Sequence, residues 1–319
     1  MKSALTTTAS STEIAPLATP DLNEVIKAFS SEQDVKASSR QLYARTIAIF
    51  FDWVRSTGRA VEALSLADLI AYKDDLLASG KSSLTTASYI NSLRRFYAWA
   101  EAYKLYPNIA AGLHAPKRRQ NFRKQPLSVG KVGELLNHER TQSARDCAIV
   151  TLMLYTGLRC IEVVRADVGD ITYKGGQRVL LVQGKGRDEK DNFVILSDAA
   201  YQPIAAYLNT RRGLKESAPL FASASHNNAG GRLTTRAVSM IAKAGLKSVG
   251  LADRAFTAHS LRHTAAVNIL RAGGSLEQAQ HTLRHSNPAT TQIYTATLEE
   301  ERRLTTGGEF LLDRLYRAI

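Results

Sequence analysis

Cysteine is scarce in this chain: Cys147 and Cys160 are the two in 319 residues. Both sit in apolar helical stretches, where they read as small buried hydrophobes. No disulfide framework is implied, so a reducing cytoplasm is the expected compartment. Long apolar runs are missing as well. The most apolar stretch, 148–158, is too short to cross a bilayer. Residues 1–20, rich in Ser, Thr and Ala, have no continuous apolar segment of signal-peptide type and read as a disordered arm. Neither secretion nor membrane insertion is expected. The sequence holds no GxGxxG, P-loop or CxxC pair, which leaves a nucleotide cofactor no visible site, and no solenoid-type repeat. Acids are outnumbered: 29 Asp and Glu against 42 Lys and Arg give a net charge of +13 and a pI near 9.8. That excess makes a polyanion the expected partner, although membrane-surface and ribosomal proteins share it.

The chain does have the length for two domains, each with its own core, and 44% hydrophobic residues, as in a globular protein. Residues 21–113 read as four or five helices without a strand. Tyr43, Ile47, Phe50, Phe51 and Val54 recur at helical spacing, as do Leu66, Leu69, Ile70, Leu76 and Leu77. A third stripe, Ile90, Leu93, Tyr97 and Ala100, has Arg94 and Arg95 beside it. Duplex DNA offers few unstacked bases to such a face, so the aromatics are assigned to packing. Residues 114–126 form a linker bracketed by Pro116 and Pro126, with Lys117, Arg118, Arg119, Arg123 and Lys124 and no acid. Cations clustered in this way repel one another unless an anion is near, and a phosphate backbone would relieve that.

From residue 127 the pattern is mixed α and β. Helices are expected over 128–138, 145–158, 199–212 and 234–249. The β-branched runs 178–182 and 193–196, joined by a polar loop containing glycine, signal a hairpin. The fold class is therefore mainly α with a small β-sheet. An all-helical N-terminal domain is followed by a mixed α/β domain over 127–319.

The last third carries the chemistry. His259 and Arg262, three positions apart, project from one face of the first turn of a helix that stops at Gly273-Gly274. A second helix starts at Ser275 with Gln278 in capping-box position and ends near His285. After a turn at 286–288, residues 289–294 restart as a short helix carrying Tyr294.

The string His259-x-x-Arg262, then Leu283-x-His285, then Thr290-Thr291-x-x-Tyr294 resembles the C-terminal signature of the tyrosine site-specific DNA recombinases, the phage-integrase and Xer-like family. Upstream, Thr156-Gly157-Leu158-Arg159-x-x-Glu162 resembles that family's first arginine box, and Gln183-Gly184-Lys185-Gly186-Arg187 its lysine-bearing β-hairpin. Three boxes in order are a strong signal where any one alone is weak. A lone histidine is usually structural and a lone arginine usually a surface charge; the ordered conjunction reverses that judgement.

The resemblance implies a catalytic set of Arg159, Lys185, His259, Arg262, His285 and Tyr294, with Glu162 and His263 in support. Tyr294 would attack a phosphodiester, giving a covalent 3′-phosphotyrosyl intermediate and a free 5′ hydroxyl that reverses the reaction on a partner duplex. Tyrosine's ordinary pKa near 10 leaves about one phenol in a thousand ionised at neutral pH, so a base or strong positive field is needed. Arg159 and Arg262 would clamp the phosphate in a plane that lysine cannot reproduce. By the same resemblance His285 would donate a hydrogen bond to the phosphate, His259 would accept the tyrosine proton, and Lys185 would protonate the departing 5′ oxygen. No metal and no cofactor is required, and no carboxylate cluster suited to two-metal hydrolysis is visible.

The helical domain resembles the family's core-binding domain, which clamps one side of a duplex. Expected DNA contacts are Arg40, Arg94, Arg95, Lys117, Arg118, Arg119, Arg123, Lys124, Arg187 and Arg284. The tail 309–319 is an amphipathic helix behind Gly307-Gly308. In the family such a helix is exchanged between protomers, which implies a homo-tetramer on two duplexes and a monomer or dimer when free. A second recombinase or a DNA-bending accessory protein is compatible with this. Two other readings are a type IB topoisomerase, which relaxes supercoils without a partner duplex, and a DNA-binding protein whose site has decayed.

Arg284 stands where the family more often has glycine. Either arginine is strained there by a positive φ or its side chain reaches DNA, and Arg284→Gly is expected to keep cleavage. Cys160 replaces a commoner aliphatic residue, without obvious chemical consequence.

Overall fold

Three of the four helix starts in residues 21–102 coincide with side chains able to hold free backbone N–H groups. Asp21 accepts from the Asn23 N–H (3.0 Å) at the head of α1, Leu22–Glu32, and Ser82 accepts from Thr85 (3.1 Å) at the head of α4, Ser83–Ala102. Between them lie α2, Ala37–Ser56, and α3, Leu66–Ala78, the latter opened by a capping box in which the Ser65 N–H donates to Asp68 Oδ2 (2.9 Å). Gly58 and Gly80, at φ +67° and +81°, stop α2 and α3 in the left-handed region that glycine enters without penalty.

This is a computed structural model, and it describes residues 21–117, 125–184, 187–284 and 289–317. The chain forms two units that divide between residues 121 and 122. The core of the first is aromatic. Phe29, Ile47, Phe50, Val54, Leu69 and Ile90 are fully buried, and Phe50 has Phe51, Tyr72 and Tyr97 within 6.4 Å, ring centre to ring centre. Edge-to-face pairs of this kind add to the area term. The α3 stripe is narrower than its sequence implies: Leu69, Tyr72 and Leu76 are inside, while Leu66, Ile70 and Leu77 lie at the surface.

The second unit is built on α6, Ala144–Thr156, which buries Ala148 to Leu154 almost all the way round and so lies at the centre of its core. Packed with it are α5, Val129–Glu139, α8, Asp198–Asn209, and α9, Thr235–Ser248. A short α7, Cys160–Arg165, leads to an antiparallel sheet of β1, Ile171–Lys174, β2, Gln177–Val182, and β3, Asn192–Ile195, in that order. Leu180 sits opposite both Ile171 and Val194. The β-branched runs mark β2 and β3 but not β1. Its signal was the turn Gly175-Gly176, whose φ values of +56° and +77° suit a tight hairpin.

The chain closes with α10, Ala258–Arg271, α11, Leu276–Leu283, α12, Ala289–Thr306, and α13, Gly308–Tyr316. The short helix expected at Tyr294 is thus the start of a longer one. Among the described residues no helix is long and apolar enough to cross a membrane.

One carboxyl in this core has a pH-dependent role. Glu139, at the end of α5, is 2% exposed, and its carboxyl fills the space left by Gly245 of α9, where a Cβ would fall 2.2 Å from Oε1. Burial first, and then the charge of Asp146, raises its pKa to about 7. The folded state therefore keeps a proton that the unfolded chain releases, and stability falls as pH rises from about 4.5 to 7. Glu139→Gln should flatten this decline and leave the protein about 1–3 kcal/mol more stable than wild type at pH 8. Chemical denaturation at pH 5 and pH 8 measures both arms.

Candidate active site

The site begins where α6 stops. Gly157 takes the left-handed conformation at φ +61° and donates its N–H to Met153 O (3.0 Å), turning the chain so that Leu158 is buried and Arg159 caps α7. A Cβ on Gly157 would meet Leu283 Cδ2 at 2.4 Å, so this turn and the end of α11 are in direct contact. Glu162, one turn into α7 and 1% exposed, reaches back to Arg159. Its Oε2 accepts the Arg159 backbone N–H (2.8 Å) and its Oε1 pairs with Arg159 Nη1 (2.9 Å). The Arg159 side chain keeps 29% of its surface open.

Arg262 comes from α10, which opens with Thr257 and Ser260 as a capping pair. It is 1% exposed and bridges the other two segments: Nη1 donates to Gly157 O and Nη2 to Leu283 O, both at 2.5 Å. Its Nε has no hydrogen-bond partner among the described residues. Burial, followed by the charge of Arg159, lowers its pKa to about 9, with Glu162 opposing, so it remains a cation at neutral pH.

Tyr294, in the first turns of α12, is 6% exposed and packs with Ala266, Val267 and Leu283. The His263 ring, itself 5% exposed, lies against it, centroid to centroid 4.8 Å at 53°. Burial raises the phenol's pKa while the positive charges of Arg262 and then Arg159 pull it down. The charges of two arginines 103 positions apart in sequence thus both oppose the effect of burial on this phenol. His259 is exposed on the first turn of α10. The sequence treated His263 as secondary to His259; its ring contact with Tyr294 depends on how α12 packs on α10, which no local pattern announces.

Arg284 departs most from the sequence reading. It ends α11 at φ +56°, ψ +45°, so the backbone position is of the glycine-favouring kind. Its side chain, expected among the DNA contacts, turns inward instead. It is 8% exposed, with Nη2 on Glu162 Oε2 (2.9 Å) and Nη1 on Thr282 O (2.7 Å). Burial disfavours the charged carboxylate of Glu162, but Arg284, the Arg159 N–H and the charges of Arg159 and Arg262 hold its pKa below the usual value.

Lys185 and His285 lie outside the described residues, as do Arg118, Arg119, Arg123 and Lys124. Two contacts of the described residues on either side of 185–186 involve residues the sequence did not single out. Arg165 donates to Gly184 O (3.1 Å) on one side, and Lys190 binds Asp167 (2.7 Å) and Asp170 (2.6 Å) on the other. Arg187, 60% exposed, pairs with Asp191 (3.3 Å). In the first unit Arg40, Arg94 and Arg95 are exposed, and the last two line a surface groove with Ser39, Tyr43 and Asn91; Lys117 is exposed as well.

Residues 127–301 match the model of the phage integrase family, and residues 22–104 match that of the phage integrase N-terminal SAM-like domain. Tyrosine recombinase XerD of Rhizobium meliloti (strain 1021) is 30% identical over 287 residues, covering 86% of this chain and 90% of that one. Tyrosine recombinase XerC of Actinobacillus pleuropneumoniae serotype 7 (strain AP76) is 30% identical over 243 residues, 75% of this chain and 76% of that one. Among solved structures, the XerH site-specific recombinase bound to palindromic difH substrate, a post-cleavage complex, has the same fold. Its TM-score is 0.70 at 20% identity, covering 88% of this chain and 83% of that one. A lambda integrase (75–356) dimer bound to a COC′ core site gives 0.66 at 17% identity, over 86% and 94% of the two chains.

The two-unit fold and these relatives define a tyrosine recombinase. The chain belongs to the phage integrase family.

Proposed function

We propose that this enzyme cuts duplex DNA at specific sites with Tyr294 as nucleophile and rejoins the strands to a partner duplex. The observation that carries this is that Arg262, bound to the Gly157 and Leu283 carbonyls, ties the turn that carries Arg159 to the end of α11 on which the buried Tyr294 packs, and that the charges of both arginines oppose the rise that burial gives the Tyr294 pKa. A phosphodiester brought to that hydroxyl would enter the positive field of both guanidiniums. Fixed cations in a water-poor site stabilise the charge that builds on the non-bridging oxygens. The Tyr294 oxygen bonds to phosphorus as the 5′ oxygen leaves. His259 accepts the phenolic proton, Lys185 protonates the leaving oxygen, and His285 donates a hydrogen bond to the phosphate. His263, packed on the tyrosine ring, holds its orientation. The reverse attack by a 5′ hydroxyl restores Tyr294, so no bond energy is lost.

The helical first unit, with Arg40, Arg94, Arg95 and the basic segment from Lys117 to Lys124, is proposed to hold one side of the duplex, and its charge should make affinity fall with salt. Integration, excision and resolution all consist of this chemistry. The functional test is recombination between two plasmid-borne copies of a candidate site: rearranged plasmids support the assignment, whereas relaxation without rearrangement would indicate a topoisomerase.

Assembly is proposed to run through α13. Phe310, Leu311, Leu312, Leu315 and Tyr316 are 49–64% exposed on this terminal helix, an apolar surface that a neighbouring protomer would bury. Removing residues 309–319 should leave binding to a single site within about twofold of wild type while abolishing complexes that hold two duplexes. Gel-shift analysis with one and two labelled sites separates these, and synapsis by the truncated protein would refute the exchange.

A further inference from the structure

Arg284 combines two features that need a common reason. It is one of two non-glycine residues with positive φ among the described residues, a conformation that L side chains avoid, and its guanidinium is buried on a charge. An arginine with no task at this turn would point to water. Here it meets Glu162, the same carboxylate that holds Arg159: Oε2 takes Arg284 Nη2 at 2.9 Å and Oε1 takes Arg159 Nη1 at 2.9 Å. One residue back, the Leu283 carbonyl is held by Arg262.

We propose that Arg284 is a positioning residue which, through Glu162, fixes the Arg159 guanidinium before DNA arrives. This rests on the reading of Arg159 as a phosphate ligand. Two effects act together. A carboxylate gripped from two sides cannot pivot, so Arg159 is held in one plane. Arg284 also takes part of the Glu162 charge, which would otherwise compete with the incoming phosphate for Arg159. From the sequence alone Arg284→Gly is expected to keep cleavage, since glycine suits the backbone; the inward ion pair reverses that expectation.

The test compares wild type, Arg284→Gly, Arg284→Lys and Glu162→Gln in single-turnover cleavage of a nicked duplex at saturating enzyme, beside DNA affinity and thermal melts. Arg284→Gly should slow covalent adduct formation about tenfold to a hundredfold, the scale set by misplacing a reacting group. Its DNA affinity should remain within about twofold of wild type. Arg284→Lys, which keeps the charge but not the fork, should be intermediate, and millimolar guanidinium should partly restore the glycine variant. The double variant Arg284→Gly, Glu162→Gln should be no slower than the worse single one, because the two act through one contact. Cleavage by Arg284→Gly at the wild-type rate, or by Arg284→Lys if the glycine variant does not fold, would overturn the proposal. A second readout does not depend on cleavage: the Arg159 Nε–Hε NMR signal, assigned with Arg159→Lys, should broaden in Arg284→Gly, and an unchanged signal would also overturn it. Loss of the wild-type adduct in Tyr294→Phe tests the underlying chemical assignment separately.

Discussion

Replacing Arg262 with alanine is expected to destabilise the catalytic unit by about 3–5 kcal/mol, because it removes one partner from a buried charged network. The side chain is 1% exposed and donates to the Gly157 and Leu283 carbonyls, so truncation leaves two acceptors stranded at the junction of α6, α7 and α11. It also removes a cation whose charge lowers the Tyr294 pKa. Strand cleavage should therefore drop by about 10²–10³-fold in protein that is still folded, the range for losing one preorganised donor. Arg262→Lys divides the two contributions. It keeps a positive charge near the tyrosine but cannot span both carbonyls, so it should regain part of the stability and little of the cleavage. Urea denaturation and single-turnover cleavage below the unfolding midpoint measure each. Wild-type cleavage by Arg262→Ala would remove Arg262 from the phosphate site.

Tyr294→Phe should have the largest effect on chemistry and a small one on folding. The ring that packs with Ala266, Val267, Leu283 and His263 is retained, so the local core is preserved. The oxygen is lost, and with it the covalent intermediate; a drop of about 10⁴-fold or more is the scale seen when a nucleophile is removed. DNA affinity should stay near wild type, since phosphate contacts made by the arginines remain. Because burial raises the Tyr294 pKa, the phenol is even less ionised at neutral pH than tyrosine in water, so cleavage depends on a proton acceptor and on the field of the arginines.

Much of this was legible in the sequence where a local rule governs. The Ser275–Gln278 capping box is present with both bonds, at 2.7 and 3.1 Å, because capping is decided within four residues. The apolar run at the centre of α6 follows from periodicity, whereas its end does not: the expected helix runs to residue 158, and α6 stops at Thr156 because Gly157 takes a positive φ. The Arg159-x-x-Glu162 spacing brings its two side chains together because three positions make nearly one helical turn. What escaped was tertiary. Strand β1 has four residues and only Ile171 is even partly buried, too little for an alternation pattern. The extension of α12 beyond Tyr294 lacks an apolar stripe, since its 299–306 half is polar and largely exposed. Arg284 turned inward, against the ordinary expectation for a lone arginine, because a buried carboxylate from 122 positions away waits there. The Lys190 clamp on Asp167 and Asp170 is likewise a meeting of residues 20 and 23 positions apart, with no motif linking them.

The most direct test of Tyr294 as nucleophile is covalent trapping on a nicked suicide duplex bearing a candidate site, resolved on a denaturing gel for wild type and Tyr294→Phe. A protein–DNA adduct formed by wild type and absent from the variant, with equal binding by both, is the predicted result. An adduct that persists in Tyr294→Phe, or none from wild-type protein bound to the same DNA, would contradict the assignment.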